Sequence, residues 1–127
     1  MASIRRFMSA SVHRLAPSDP LADAYALVEE HGVRHFPVID GESVVGILTL
    51  SDLAVLASTM ALDRDTALVS DVMTLEPYCV SSDADVGVVA REMSARRIGS
   101  ALILEGDKLV GVFTSTDAVR ALGELLP

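Results

Sequence analysis

The sequence repeats itself at a fixed spacing, and this duplication limits the possible folds more than any other feature. An offset of 65 positions, without a gap, relates these identical residues: Gly46 and Gly111, Thr49 and Thr114, Asp52 and Asp117, Met8 and Met73, Gly41 and Gly106, Val45 and Val110. A duplication this regular predicts two similar units related by a pseudo-twofold axis. It also predicts paired, symmetry-related clefts, and we expect function to reside there.

The length of 127 residues suits one compact domain of ordinary size. Each half, at about 65 residues, is near the lower limit for independent stability, so we expect the halves to share a core. Hydrophobic residues make up 50% of the chain, aromatic residues 4%, and Trp is absent. The core is therefore expected to be aliphatic.

The charge of the chain argues against a nucleic-acid partner. The net charge is −8, and residues 1–65 and 66–127 each carry nine acidic and five basic residues. Neither half has the basic surplus that releases counterions from a phosphate backbone. We interpret the acidity as a contribution to solubility.

The single cysteine, Cys79, cannot form an intrachain disulfide, and we expect it to be a small buried strand residue. The N-terminal residues lack the apolar stretch of a secretory signal. No apolar run approaches the ~20 residues that a membrane-spanning helix needs. We therefore expect a soluble, cytoplasmic protein with no membrane partner.

The first repeat, residues 1–60 with its N-terminal lead-in, follows a β-α-β-β-α pattern. Residues 11–15 predict a short strand, and Ser18 is the expected cap of a helix that ends at Gly32. Residues 35–39 and 44–48 predict the two strands of an antiparallel hairpin. A second helix is expected from Thr49 to about Met60.

The second repeat, residues 71–127, has the same order after a linker at 61–70. Cys79 and Val80 predict the short strand, and Asp83 takes the capping position of Ser18. Residues 101–104 and 109–113 predict the hairpin, and the last helix is expected from Thr114 to about Gly123. The fold class is therefore α+β, with two pseudo-symmetric repeats.

The Thr-x-x-Asp segments, Thr49–Asp52 and Thr114–Asp117, have two interpretations. One is a capping box, in which the threonine hydroxyl accepts an N–H of the first helical turn and the carboxylate bonds back. The other is a nucleoside-phosphate site, in which the threonine and free N–H groups hold phosphate. The aspartate then accepts the two hydroxyls of a ribose. The preceding glycine would permit a close backbone approach.

The segments that carry these motifs resemble a tandem pair of CBS (cystathionine-β-synthase) domains, the stand-alone Bateman module. The matching segments are Phe36–Asp40, Val45–Leu53, Asp71–Thr74, Ile98–Leu104 and Val110–Asp117. The resemblance implies a regulatory, non-enzymatic module for signal transduction that is commonly a homodimer. Its ligands would be AMP, ADP or ATP, or S-adenosylmethionine.

The resemblance also implies which residues line two clefts between the repeats. The first cleft would comprise Val12, His13, Val33, Arg34, His35, Thr114, Thr116 and Asp117. The second would comprise Thr49, Ser51, Asp52, Pro77, Tyr78, Ile98, Gly99 and Ser100. Arg34, His35 and Arg120 favour the first cleft for phosphate. Leu102 replaces Pro37 in the second repeat, which departs from the family pattern.

Other chemistry has little support in the sequence. The histidines, His13, His31 and His35, lack a partner at a familiar metal-ligand spacing, so no metal site is expected. Ser51 has no evident His-Asp partnership, and no P-loop pattern occurs. Two alternatives to the nucleotide sensor stay open. One is an adaptor or dimerisation module with vestigial clefts, and the other is an enzyme using His13 or His35 as a base.

Overall fold

A helix, two strands and a second helix follow one another in both halves of the chain, as the duplication predicts. The computed structural model describes residues 2–10, 12–59 and 61–127, with the backbone alone at 56 and 57. The elements are a 3-10 turn (Ile4–Arg6), α1 (Leu21–His31), β1 (His35–Asp40), β2 (Ser43–Thr49), α2 (Leu50–Asp52), a π-helix (Leu53–Ala57), α3 (Val69–Val72), β3 (Thr74–Leu75), β4 (Cys79–Ser81), α4 (Val86–Arg96), β5 (Ser100–Glu105), β6 (Lys108–Thr114) and α5 (Ser115–Leu125).

The two hairpins confirm the sequence prediction. In each turn a glycine adopts a left-handed backbone, Gly41 with φ 64° and Gly106 with φ 63°, which a side chain disfavours. His35 is opposite Thr49 in the first hairpin, and Ser100 is opposite Thr114 in the second. The start of each hairpin therefore lies beside the Thr-x-x-Asp segment of its own repeat.

Each hairpin carries a further strand on both sides, although one of the two is reduced to a single bridge. In one sheet β3 pairs antiparallel with β2, and Leu15 forms a parallel bridge to Val38. In the other sheet β4 pairs parallel with β5, and Ser9 forms an antiparallel bridge to Val112. The strand expected at 11–15 is thus limited to Leu15, and residue 11 lies outside the described residues.

The compact units of the structure differ from the repeats of the sequence. The first unit comprises Met1–Val12 and Tyr78–Pro127, and the second comprises His13–Pro77. The N-terminal lead-in thus belongs with the second repeat. Residues 61–70, expected to be a linker, contribute buried Ala67 and Val69 to the second unit.

Each unit buries a hydrophobic cluster of its own, and each cluster includes a segment from the other half of the sequence. Ile4 and Phe7, both 0% exposed, pack into the cluster of the first unit. Val69 and Val72 pack into that of the second unit. The sequence predicts one core shared by the halves. The described residues instead form two clusters, each of which includes residues from both halves.

Backbone and side-chain bonds anchor the N-terminal lead-in to the first unit. Ile4 N–H donates to Ala84 O at 2.8 Å. Arg5 Nη2 donates to Glu105 Oε2 and to Ser82 Oγ, each at 2.7 Å. The hydrogen bond and charge of Arg5 lower the pKa of the Glu105 carboxyl. The lead-in is therefore attached through both main-chain and charged contacts.

The expected caps of α1 and α4 are wrong by two positions. Pro20 is the N-cap of α1 and makes no side-chain capping bond, whereas Asp85 caps α4 by accepting Val88 N–H at 3.2 Å. Ser18 and Asp83 both precede these positions. The expected stop at Gly32 is confirmed, since this residue ends α1 with φ 65°.

The helices that follow the hairpins differ between repeats. The first begins with α2 after Thr49 and continues as a π-helix, and its expected last residue, Met60, lies outside the described residues. The second, α5, is α-helical from Ser115 to Leu125, two residues beyond the expected end at Gly123. The repeats therefore differ in the helix that directly follows each Thr-x-x-Asp segment.

Candidate functional site

Both Thr-x-x-Asp segments form capping boxes, as the first of the two interpretations predicts. Thr49 Oγ1 accepts the Asp52 N–H at 3.1 Å, and Asp52 Oδ2 accepts the Thr49 N–H at 3.0 Å. In the other repeat Thr114 and Asp117 exchange the same bonds at 3.4 and 2.9 Å. The motif therefore fixes two helix starts, which leaves open what the remaining carboxylate oxygens bind.

The two aspartates have different surroundings. Asp117 is 7% exposed, and its Oδ1 accepts a bond from Arg120 Nη2 at 3.2 Å. Asp52 is half-buried, and none of the described residues donates to its Oδ1. The position equivalent to Arg120 is Val55, which is exposed and whose side chain has no hydrogen-bond donor. Of the two carboxylates, Asp52 thus has more acceptor positions left for an approaching hydroxyl group.

A pocket of about 280 Å³ opens beside the first capping box. Its lining residues are Arg34, His35, Thr49, Leu50, Ser51 and Ala54. The Leu50 N–H donates to Arg34 O at 2.9 Å, which holds the residue before β1 against the start of α2. The hairpin register and this bond together bring one cation, one imidazole and two hydroxyls to a single opening.

The same backbone arrangement recurs in the first unit with different side chains. Ser115 N–H donates to Gly99 O at 3.0 Å, and Ser100 lies opposite Thr114. Gly99 and Ser100 stand where the other repeat has Arg34 and His35, so this segment brings no cationic side chain beside Thr114. Thr116, the counterpart of Ser51, is exposed.

The predicted cleft residues outside the hairpins have partners within their own units. The His13 ring stacks on His31 with centroids 4.6 Å apart and planes at 21°. The Tyr78 ring lies 4.6 Å from the Arg96 guanidinium, and burial raises the pKa of its hydroxyl. Ile98 packs against the cluster of the first unit.

The remaining predicted residues lie on irregular backbone. Val12, Val33 and Pro77 are half-buried and belong to none of the described helices or strands. Within each unit, the contacts group the segment before the hairpin with the Thr-x-x-Asp of the same repeat. The sequence-based grouping across the repeats stays a prediction.

Three features of the site are not predictable from the sequence. Leu50 and Ala54 line the pocket because the chain turns into α2 there, and their apolar side chains give no local signal of it. Arg120 Nη2 donates to Phe7 O at 2.6 Å, across 113 positions of sequence. Gly46 and Gly111 each lie three residues before a threonine of the motif. Gly46 leaves room for the side chain of Met73, and Gly111 leaves room for that of Met8.

The described residues show neither a metal-binding cluster nor a membrane-spanning helix. Within 2–10, 12–59 and 61–127, no group of three or more His, Cys, Asp or Glu side chains is placed to hold a metal ion. Over the same ranges no helix is both long and apolar enough to cross a bilayer. Cys79 is half-buried on β4, and burial raises the pKa of its thiol.

Comparison with known proteins gives related sequences and folds. An uncharacterised conserved protein from Pyrococcus horikoshii superimposes with a TM-score of 0.86, at 31% identity, over 95% of this chain and 92% of that one. The structure of CBSX2 in complex with AMP has a TM-score of 0.85 at 27% identity, and 98% of each chain is covered.

Among curated sequences, the inosine-5'-monophosphate dehydrogenase of Korarchaeum cryptofilum is 29% identical over 112 residues. The alignment covers 87% of this chain but only 22% of the dehydrogenase, so the likeness concerns a part of that enzyme. The CBS domain family model matches twice, at residues 4–58 and 69–124. With two matches in tandem over most of its length, this chain belongs to the CBS domain family, as a pair.

Proposed function

We propose that this protein is a regulatory module that binds an adenosine nucleotide in the pocket beside Thr49. One observation carries the proposal: Arg34, His35, Thr49 and Ser51 line a single opening, and Thr49 is hydrogen-bonded to Asp52, whose Oδ1 receives no donor from the described residues. These groups match a nucleoside phosphate, which combines an anion with a diol. Binding would stabilise one conformation of the module, and a partner would detect that conformation.

Each group has a distinct task in this site. The Arg34 side chain is exposed at the opening and supplies the fixed positive charge that a phosphate needs. The hydroxyls of Thr49 and Ser51 add donors for phosphate oxygens. Asp52 Oδ2 is engaged by the Thr49 N–H, so Oδ1 is available for the ribose hydroxyls. Anion and sugar are thus held by separate side chains.

The comparisons support an adenosine ligand in general terms. CBSX2, at 27% identity over 98% of the chain, has been crystallised with AMP. AMP is accordingly the first ligand to test here, and ADP, ATP and S-adenosylmethionine are the alternatives. The predicted residues around Thr114, Thr116 and Asp117 form the second proposed site, for which Gly99 and Ser100 supply no charge.

We also propose a homodimer and a cytoplasmic location. The exposed face of α5 supports the dimer, because Val119 is 69% and Leu122 58% exposed, and Leu125 and Leu126 extend the same apolar surface. The protein that responds to the module is unknown. An adaptor without ligand is the alternative function, and catalysis forms no part of the proposal.

Isothermal titration calorimetry with AMP, ADP, ATP and S-adenosylmethionine tests the proposal on the full chain. We expect saturable binding that Asp52→Asn weakens about tenfold, the equivalent of one charge-assisted hydrogen bond. Asparagine keeps an oxygen that can cap Thr49, so the fold is preserved. Asp107→Asn removes the same charge from an exposed turn and should bind normally.

Two results would contradict the proposal. If protein freed of carried-over ligand gives no heat with any of the four compounds, the adaptor function becomes the better conclusion. Equal binding by the wild type, Asp52→Asn and Asp107→Asn would mean that the ligand is held elsewhere.

A further inference from the structure

The carboxylate of Asp117 is already used by its own unit. Oδ2 accepts the Thr114 N–H at 2.9 Å and the Thr114 hydroxyl at 3.2 Å, and Oδ1 accepts Arg120 Nη2 at 3.2 Å. A carboxylate offers about four acceptor positions. Three are therefore occupied, and a ribose diol, which needs two, must displace a protein group.

Arg120 is held in this place by a second bond. The same Nη2 that reaches Asp117 donates to Phe7 O at 2.6 Å, and Phe7 is 0% exposed. The Arg120 side chain is 54% exposed, so the ion pair alone would contribute little in water. The bond to the Phe7 carbonyl fixes the guanidinium next to Asp117 and makes its displacement more costly.

The other repeat lacks this arrangement. Val55 stands at the position equivalent to Arg120 and is 60% exposed. Asp52 Oδ1 consequently receives no donor from the described residues, and the pocket with Arg34 opens beside Thr49, to which Asp52 is hydrogen-bonded. The two sites of the duplicated pair thus differ in this internal competitor, in addition to the exchange of Arg34 and His35 for Gly99 and Ser100.

We propose that Arg120 determines which of the two sites is filled, by occupying the Asp117 carboxylate in place of a ligand hydroxyl. This inference rests on the proposed function. It predicts that AMP binds first at the Asp52 site and about tenfold more weakly at the Asp117 site. It reverses the preference for the Asp117 cleft that Arg34, His35 and Arg120 suggest in the sequence.

The substitution Arg120→Val tests the proposal by copying the residue of the first repeat into the second. AMP is titrated calorimetrically into the wild type, Arg120→Val, and Arg120→Val combined with Asp117→Asn. We expect one AMP per chain in the wild type at moderate ligand concentration, and two in Arg120→Val. The additional site should disappear in the double variant, because it depends on the Asp117 carboxylate.

Two controls separate competition from a structural effect. Arg91→Val removes the same charge from an exposed position on α4 and should leave the stoichiometry unchanged. Arg120→Val also loses a bond to Phe7 O, so its melting temperature is expected to fall slightly. A purely structural role for Arg120 would lower binding, whereas the proposal predicts a gain.

Three results overturn the inference. The first is two equal AMP sites in the wild type. The second is an unchanged stoichiometry in Arg120→Val. The third is a wild-type site that Asp117→Asn abolishes and Asp52→Asn leaves intact. All three leave nucleotide binding itself established, whereas an absence of AMP binding in every variant would overturn the proposed function together with the inference.

Discussion

Gly46 and Gly111 lie where the chain passes so close to itself that a side chain has no room. A Cβ on Gly46 would lie 2.8 Å from Thr74 O and 3.0 Å from Met73 Sδ. On Gly111 it would lie 2.5 Å from Met8 Sδ and 3.0 Å from Ser9 O. The repeated glycines and methionines of the sequence therefore contact each other inside the compact units. Gly46 contacts Met73 in one unit, and Gly111 contacts Met8 in the other.

The substitution Gly46→Ala is expected to destabilise the protein by about 1–3 kcal/mol, because the clashing atom is a backbone oxygen that cannot rotate away. Chemical denaturation of Gly46→Ala and of a control variant, each compared with the wild type, measures the change in the free energy of unfolding. Gly123→Ala is the control. Gly123 lies on α5 with no neighbour within 4 Å, so this change should stabilise by about 0.5–1 kcal/mol. Equal stability of the two variants would disprove the close contact.

Single residues are predictable from sequence where their partners are near in the chain. Thr49 and Asp52 are three positions apart, so helix geometry alone predicts their capping box, which the structure confirms. The bond from Arg120 to Phe7 spans 113 positions and follows from the tertiary fold. The sequence accordingly predicts Asp117 as a site residue with Arg120 one turn away, but it does not predict the bond that fixes Arg120 to the Phe7 carbonyl.

At the scale of elements, the hairpins were predictable and two helix starts were not. A turn needs only its own residues, and Gly41 and Gly106 mark theirs. The starts of α1 and α4 depend on distant backbone instead. Leu21 N–H donates to Ala67 O at 3.0 Å, and Val86 N–H donates to Ala2 O at 2.9 Å. These bonds satisfy first-turn groups that sequence reasoning assigns to a side-chain cap.

Two neighbouring aspartates distinguish the observed cap of α4 from the expected one. Asp85→Ala removes the acceptor of the Val88 N–H and should cost about 1 kcal/mol of stability. Asp83→Ala removes an exposed carboxylate that bonds Ser81 and should change stability by less than about 0.5 kcal/mol. Urea denaturation of the two variants gives both values. A larger loss in Asp83→Ala would restore the sequence-based cap.

At the scale of the whole molecule, the repeats of the sequence and the units of the structure are different divisions of the chain. The family match and the offset of 65 both predict two similar parts, and the structure has two. Each part takes one segment from the opposite half, the first unit residues 1–12 and the second unit the residues up to 77, which no local pattern reveals. In the sequence, Ile4 and Phe7 belong to an ordinary short apolar segment. Only the structure shows that both side chains are buried in the first unit.

The substitution Phe7→Ala tests this division. Loss of a fully buried phenyl ring should cost about 3–5 kcal/mol. Hydrogen exchange followed by mass spectrometry should show the loss of protection mainly in residues 78–127, with residues 13–77 less affected. Leu126→Ala, at a position 59% exposed, is the control and should leave both regions protected. Loss confined to 13–77 would contradict the assignment of the lead-in.

The exchanged lead-in has a consequence for how the protein is made. Residues 13–77 form an uninterrupted unit, so every segment of it has been synthesised once residue 77 has left the ribosome. The other unit joins Phe7 to Arg120 and therefore cannot close until the segment that contains Arg120 has been synthesised. Its N-terminal segment, with Ile4 and Phe7, must wait with apolar side chains unburied throughout that interval. Ile4 and Phe7 thus find their partners later than the residues of the uninterrupted unit, although they precede all of them in the chain.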